Sequence, residues 1–202
     1  MPRVSETHLN QRRQQILDAA LRCFAANGFH NTSMRDVIRQ SGLSAGAVYN
    51  YFPGKDDLIA AAVSPMLKAL VSIADETLQP TRSPTRGIAE LLQRVAPIAL
   101  RPDVDMSRIA VMAWGEALRD DTVRTLLVGA YPAVRTRLVD AVAAWREAGH
   151  LPADTDDEAL GQVLFATWTG CVMQHALFGD VDVGRYGEAL SLLLDVTPSQ
   201  GV

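Results

Sequence analysis

The stretch SMRDVIRQSGLSAGAVYNYF, residues 33–52, decides the predicted fold of this chain. Ser33 is a predicted N-cap, because its hydroxyl can accept an orphan amide proton while the carboxylate of Asp36 reaches back to the helix start. The helix should end near Ser41-Gly42, since glycine tolerates the left-handed backbone of a tight turn. The spacing therefore predicts a short helix followed at once by a turn.

A second short helix follows that turn. Ser44 is its predicted N-cap, and Val48 and Phe52, four residues apart, share its buried face. The residues that then point largely outward are Ala45, Gly46, Tyr49 and Asn50. Two short helices joined by a Gly-containing turn form a helix-turn-helix, whose second helix can enter the major groove of DNA.

Composition and charge favour an all-helical protein with a basic N-terminal part. Of 202 residues, 48% are hydrophobic, which is enough for a packed core. The formal net charge is −4. Residues 1–60 hold seven Arg and Lys against five Asp and Glu, so the other 142 residues carry a net −6. This distribution is compatible with a DNA-binding head on an acidic body.

The cysteines and the N-terminus predict the compartment. Cys23 and Cys171 lie far apart, so we predict neither a zinc site nor a disulfide framework but two small buried hydrophobes in a reducing compartment. The polar N-terminus predicts no signal peptide, and no apolar run approaches the roughly 18 residues of a membrane span. We therefore expect a soluble cytoplasmic protein with no metal and no cofactor.

Hydrophobic periodicity and capping residues predict nine helices and no strand. Residues 1–9 precede them as a predicted flexible arm, which is either a solvated tail or a source of extra phosphate contacts. Prolines 65, 97 and 132 should kink or split the helices that contain them. The predicted helices cover about residues 10–27, 33–41, 44–52, 55–78, 84–100, 104–119, 121–148, 157–177 and 183–194.

The predicted helix over residues 157–177 is apolar nearly all round, so it must be buried on more than one side. A partner subunit would supply the second side. Its apolar residues include Leu160, Val163, Leu164, Ala166, Trp168, Cys171, Val172, Met173 and Leu177.

Large or adaptable residues of the C-terminal part could line an apolar pocket with a few polar tips. Residue by residue, ordinary core packing is the alternative. His175 has no ligand-spaced neighbour, which favours a polar rim or a satisfied buried group over a metal site. The candidate pocket residues are Met66, Met106, Met112, Trp114, Tyr131, Trp168, Met173, His175 and Phe178.

Residues 10–60 resemble the head of the tetracycline-repressor (TetR) family of bacterial transcriptional regulators. The resemblance rests on ILDAA at 16–20, GF at 28–29, TSMRDVI at 32–38, SGLS at 41–44 and VYNYFPGK at 48–55.

This resemblance implies an all-α fold of nine or so helices. Residues 10–56 would form the helix-turn-helix DNA-binding domain, and residues 57–202 the ligand-binding and dimerisation domain. The implied homodimer forms through the last two helices, about 157–177 and 183–194. The implied partners are a double-stranded DNA operator and a small-molecule effector, with no membrane.

The family's phosphate contacts carry over by motif position to Ser33, Ser44, Tyr49, Tyr51 and Lys55. For the tyrosines the alternative is core packing, and for the lysine it is a solvated helix start.

The remaining outward residues suggest base contacts. Asn50 could bond an adenine edge, and Arg35 could reach a base or a phosphate. Ala45 and Gly46 permit close backbone approach and thymine-methyl contacts.

The favoured function is a ligand-responsive transcriptional regulator, a repressor that a small, mostly apolar ligand releases from its operator. An enzyme is disfavoured, because no nucleophile with a base, carboxylate pair, phosphate loop or metal cluster occurs at a recognisable spacing. A protein-interaction module that has lost DNA binding is the third hypothesis, and the intact helix-turn-helix argues against it.

Overall fold

The structure is a computed structural model that describes residues 6–101 and 104–194. Over these residues the chain forms nine helices and one pair of two-residue strands, which confirms the predicted all-α fold. The helices are α1 (Glu6–Asn31), α2 (Met34–Ser41), α3 (Ala45–Tyr51), α4 (Lys55–Thr77), α5 (Pro84–Ala99), α6 (Met106–Ala117), α7 (Asp121–Glu147), α8 (Asp157–Phe178) and α9 (Val183–Leu194). The strands are β1 (Leu100–Arg101) and β2 (Val104–Asp105).

Helix α1 differs most from its predicted bounds. It begins at Glu6 rather than at residue 10, so residues 6–9 of the predicted arm are helical, and residues 1–5 lie outside the described residues. It also runs on to Asn31, although the helical backbone is broken at Gly28, where φ is 76° and ψ is 174°. That break lies at the predicted helix end.

The expectation of no strand is wrong at residues 100–105, where β1 pairs with β2. Strands of two residues carry too few positions for the alternating pattern that identifies a strand in a sequence. The prolines do not split their helices: α4 continues through Pro65, α5 through Pro97 and α7 through Pro132.

The chain divides into two compact units. The first takes the residues up to Pro65 and those from Arg101 to Gly129, and the second takes Met66–Leu100 and the chain from Ala130 onward. The predicted domain boundary at residue 56 does not separate these units. The predicted domains 10–56 and 57–202 therefore stay a functional hypothesis.

The core of the first unit is built on α1. Ile16, Ala20 and Phe24 are buried and follow each other at intervals of four residues, which places them on one face of the helix. The ring of Phe24 lies 4.8 Å from the ring of Phe29, just after the break at Gly28. Because α1 packs against both α2 and α6, it is the scaffold that carries the helix-turn-helix.

Trp145 of α7 is the largest fully buried side chain of the described chain and lies in the core of the second unit. Its indole Nε1 donates to the carbonyl of Gln79, 3.2 Å away. The backbone that follows α4 is thereby held against α7.

Two ion pairs also tie the end of α4 to its neighbours. Arg94 of α5 lies 2.6 Å from Glu76, and Arg137 of α7 lies 2.7 Å from Asp75. The hydrogen bond from Arg94 holds the pKa of Glu76 below its ordinary value. Because all four side chains are well exposed, these pairs orient the helices more than they stabilise them.

Helix α4 reaches the length and hydropathy of a membrane-spanning helix, with a mean hydropathy of 1.6 over its most apolar 18 residues, so the expectation of no such run is wrong. A core helix also meets this criterion. In α4, Leu58, Ile59, Leu70 and Ile73 are buried within the protein, which is where large aliphatic side chains of a globular protein lie.

A bidentate ion pair and a close glycine contact join α7 to α8. Arg146 Nε and Nη2 donate to the two carboxylate oxygens of Asp157 at 2.9 and 2.8 Å, which lowers the pKa of Asp157. One turn further along α8, Gly161 faces α7 so closely that an added Cβ would lie 2.7 Å from Cγ2 of Val139.

Gly161→Ala should therefore destabilise the protein. The added methyl group would force α8 away from α7 and cost about 1–3 kcal/mol, as overpacking does. The control is Gly129→Ala in α7, where no heavy atom lies within 4 Å of the new Cβ and alanine is the better helix former. Thermal unfolding should show a lower Tm for Gly161→Ala only; equal Tm values for both variants would contradict the close packing.

Candidate nucleic-acid interface and ligand cavity

The start of α2 is held by a reciprocal capping box. The Ser33 hydroxyl oxygen accepts from the amide of Asp36 at 3.3 Å, and the Ser33 amide donates to the Asp36 carboxylate at 3.0 Å. The Ser33 hydroxyl also donates to the Asp36 carboxylate, at 2.6 Å, and this hydrogen bond, followed by the one from the Ser33 amide, holds the pKa of Asp36 below its ordinary value. The predicted cap is confirmed, and the Ser33 hydroxyl lies at the exposed end of α2.

The turn after α2 has the predicted left-handed glycine, since φ is 68° at Gly42. Ser44 then caps α3 by accepting from the amide of Ala47 at 3.3 Å. Val48 and Phe52 are buried, with 0% and 3% of their surface exposed. The two short helices and their turn therefore form the predicted helix-turn-helix.

The outward side of α3 is open. Tyr49 keeps 47% of its surface exposed, and Ala45, Gly46 and Asn50 are also exposed. Tyr51 is half-buried, so its exposure does not decide between a phosphate contact and core packing. An exposed tyrosine beside a side-chain amide offers hydrogen-bonding groups on a face that no other described element covers.

Three residues of α1 hold the turn in place through contacts that the sequence did not predict; Arg12 and Arg13 were expected only as possible phosphate contacts. Gln15 Nε2 donates to the carbonyl of Ser41 at 2.8 Å, and Arg12 donates to Gln15 at 2.9 Å. The guanidinium of Arg13 lies 5.3 Å from the ring centre of Phe52, within cation–π range. The contacts of Gln15 with Ser41 and of Arg13 with Phe52 join residues at least 26 positions apart, so no local pattern indicates them.

Two arginines of α2 differ in their surroundings. Arg39 pairs with Asp36 at 2.7 Å, whereas Arg35 is exposed on the same helix as the capping box. Arg35 is therefore placed at the surface, as its predicted role requires.

Lys55 begins α4 and has a contact that its predicted role did not include. Its ammonium donates to the carbonyl of Phe29 at 2.7 Å, so it links the start of α4 to the end of α1. An ammonium group has three donors, so this contact leaves the predicted phosphate contact possible. That contact stays a prediction.

The second unit contains a partly open, apolar cavity of about 30 Å³. Of the nine predicted pocket residues, only Trp168 lies on its wall. The wall consists of Leu70, Ala74, Ile88, Leu91, Leu92, Val134, Leu138, Leu164, Thr167, Trp168 and Leu190.

The other predicted pocket residues lie elsewhere. Met106, Met112 and Trp114 belong to the first unit. In the second unit, Met66 packs beside the core, Tyr131 contacts Phe165 edge to face at 5.5 Å, and His175 Nδ1 lies 3.4 Å from the carbonyl of Val181. Met173 and Phe178 are exposed, by 43% and 69%. That these nine residues line one pocket stays a prediction.

Helix α8 has two apolar sides, as predicted. Leu164 and Cys171 face the core, whereas Val163, Met173 and Leu177 are exposed by 57%, 43% and 63%. Leu192 of α9 is also exposed, by 72%. The last two helices therefore leave apolar surface uncovered within one protomer.

Both cysteines are buried and unbridged, and burial raises the pKa of each thiol. Over residues 6–101 and 104–194, no cluster of three or more His, Cys, Asp or Glu is placed to hold a metal ion.

Two family models match the chain, one in its N-terminal part and one in its C-terminal part. The model of bacterial regulatory proteins of the tetR family matches residues 16–62, and the model of the tetracyclin repressor-like C-terminal domain matches residues 116–187. The chain belongs to the TetR family of transcriptional regulators. TetR-family proteins are DNA-binding regulators rather than enzymes, so membership of this family argues against the enzyme hypothesis.

This TetR-family chain is similar to individual proteins in sequence and in structure. The repressor Rv1474c of Mycobacterium tuberculosis is 40% identical over 74 residues, which are 37% of this chain and 40% of that one, so the match spans less than half of the relative. The structure of GusR from Salmonella enterica has a TM-score of 0.77 at 26% identity and covers 96% of this chain and 97% of its own. FadR of Bacillus subtilis, in complex with stearoyl-CoA, has a TM-score of 0.73 at 18% identity, with 90% and 96% covered.

The capping box predicts a specific pH dependence of the stability of the head. Because the pKa of Asp36 is lowered in the folded state, its carboxylate stabilises the fold above its unfolded-state pKa, and that contribution is lost as the pH falls through the folded-state value. We expect Asp36→Asn to lower the Tm at pH 7, and the difference from wild type to shrink as the pH falls through the folded-state pKa of Asp36, which lies below its ordinary value. Ser33→Ala provides the control background, in which the same replacement should have a smaller pH-dependent effect. A difference that stays constant with pH would contradict this role.

Proposed function

We propose that this chain is a homodimeric, cytoplasmic repressor that binds a DNA operator through α3 and leaves it when a small, mostly apolar ligand binds in the C-terminal helical domain. The observation that carries the proposal is the exposed outer side of a capped α3 whose inner side is buried. That geometry leaves the helix free to enter a groove while its frame stays rigid.

The proposed DNA surface follows from exposure and chemistry. Hydroxyl and ammonium groups at the starts of α2, α3 and α4 suit phosphates, whereas Asn50 and Arg35 suit base edges. Ala45 and Gly46 let the backbone approach closely. The complete proposed set is Ser33, Arg35, Ser44, Ala45, Gly46, Tyr49, Asn50, Tyr51 and Lys55.

A second copy of the chain would cover the apolar side of α8 and α9. Exposed Val163, Leu177 and Leu192 lose contact with water if the two helices pack against their counterparts. In such a dimer the two heads should lie about 34–36 Å apart when bound to a two-fold operator, or more for a longer site.

Release from DNA would be a shift between arrangements of the two heads. A ligand that prefers the arrangement that does not fit the operator lowers the population of the binding form. Helix α4 would carry the shift, because it begins at Lys55 and supplies Leu70 and Ala74 to the cavity wall. The complex of FadR with stearoyl-CoA supports a ligand-binding body in this fold.

The DNA surface is tested by single replacements and a duplex selected by the protein from a random pool. Arg35→Ala and Tyr49→Ala should each weaken DNA binding at least about tenfold. Each lost phosphate contact should also reduce, by about 1, the steepness with which the logarithm of the binding constant falls with the logarithm of the salt concentration. The control is Arg86→Ala, an exposed arginine of the second unit, which should leave both quantities unchanged. Specific binding that survives both Tyr49→Ala and Lys55→Ala at moderate salt would show that the surface is misplaced.

The dimer surface is tested by a charge on α8. Leu177→Glu should convert the dimer to a monomer, since an unpaired carboxylate would be buried at the interface. Leu118→Glu is the matched control, because Leu118 is 88% exposed and belongs to the first unit, whereas the proposed interface uses α8 and α9 of the second. Light scattering coupled to size exclusion reports the mass; a Leu177→Glu variant that remains dimeric would rule out this interface.

A further inference from the structure

We infer that the effector is uncharged, and that it binds by enlarging a cavity that is too small for it in this structure. This inference rests on the proposed ligand-responsive function, and it specifies the ligand's chemistry and the need for the wall to rearrange. It follows from the composition of the cavity wall, from the pairing of charged side chains near the end of α4 and from the cavity's size.

The wall of the cavity carries no charged side chain. Nine of its eleven residues are aliphatic, and the other two are Thr167 and Trp168. The Thr167 hydroxyl already donates to the carbonyl of Val163 at 2.8 Å. Moving a carboxylate, phosphate or quaternary ammonium from water into such surroundings is strongly unfavourable unless a counter-charge is present.

Charged side chains near the end of α4, the helix that supplies Leu70 and Ala74 to the wall, are already paired. Glu76 accepts from Arg94 at 2.6 Å, and Asp75 accepts from Arg137 at 2.7 Å. None of these four side chains lies on the wall. An ionic ligand could recruit one of them only by breaking an existing pair, which leaves a second charge without its partner.

The cavity is also too small for an effector as it stands. Its volume of about 30 Å³ would hold roughly two water molecules, whereas small-molecule sites usually measure about 300–1,000 Å³. The wall draws on α4, α5, α7, α8 and α9, so a ligand larger than this volume fits only if wall side chains or one of these helices move. Ligand binding is therefore coupled to a change of packing in the body, as release from DNA requires.

The charge preference is tested on the full-length protein with N-phenyl-1-naphthylamine, an uncharged probe that fluoresces in apolar sites. We expect saturable binding and displacement by 1-octanol. Octanoate and octyltrimethylammonium, which match its chain length but carry opposite charges, should compete at least about tenfold more weakly at pH 7. Displacement by either ion at the concentration needed for octanol would overturn the inference, as would the absence of saturable probe binding.

Opening is tested by changing the volume of the wall. Leu164→Ala removes wall atoms and should tighten probe binding several-fold, because less displacement is then needed. Ala74→Leu fills the cavity and should weaken binding. The control is Leu78→Ala, which truncates a buried leucine of the same core that does not line the cavity and should leave probe affinity unchanged. Equal effects of Leu164→Ala and Leu78→Ala would overturn the assignment to this cavity, and circular dichroism verifies that each variant is folded.

A separate readout distinguishes this inference from the proposed function. Each octyl compound is added to the protein bound to its selected DNA duplex. If octanol displaces the probe but does not weaken DNA binding, the ligand class stands and ligand-induced release fails. If octanoate or the ammonium compound releases the DNA and octanol does not, release stands and the uncharged class fails.

Discussion

Burial of Val48 and Phe52 is the constraint on which the recognition surface depends. Helix α3 has only seven residues, and an isolated helix of that length is unstable in water. The two buried side chains, the cap at Ser44 and the cation–π contact from Arg13 keep it helical and fixed. The outward residues are thus positioned by the core beneath them. A helix held in this way can present small and polar groups to a groove without relying on DNA to order it.

Local signals predicted the helix-turn-helix correctly because its decisive interactions are short in sequence. Ser33 caps α2 through Asp36, three residues on, and the amide of Gly42 donates to the carbonyl of Arg39, three residues back. Serine is favoured at the first position because its hydroxyl accepts from a free amide, and glycine at the second because it tolerates a positive φ. The link from Lys55 to Phe29 and the one from Gln15 to Ser41 each span 26 residues. Such contacts depend on how helices meet, which periodicity does not encode. The scaffold that holds the motif was therefore visible only in the structure.

The cavity could not be predicted for a related reason. Sequence reasoning selected methionines and aromatic residues as adaptable pocket residues, but the wall is mostly leucine, isoleucine and valine from five helices, and Trp168 is the one predicted residue on it. Several of these aliphatic residues also belong to the core cluster around Trp145, so their sequence pattern does not distinguish a gap from filled core. Whether facing side chains fill the space between helices is decided by interhelical packing. The sequence correctly indicated an apolar C-terminal part but not where its gap lies.

The central claim is that the exposed side of α3 recognises a particular DNA sequence. The most direct test is fluorescence anisotropy of the full-length protein with a labelled duplex, either the DNA upstream of its own coding sequence or the tightest binder selected from a random pool. It is measured at two salt concentrations, with an unlabelled random duplex as competitor. The account predicts tight binding that weakens with salt and resists the competitor. Binding to both duplexes that is no tighter than to random DNA, at either salt concentration, would contradict it.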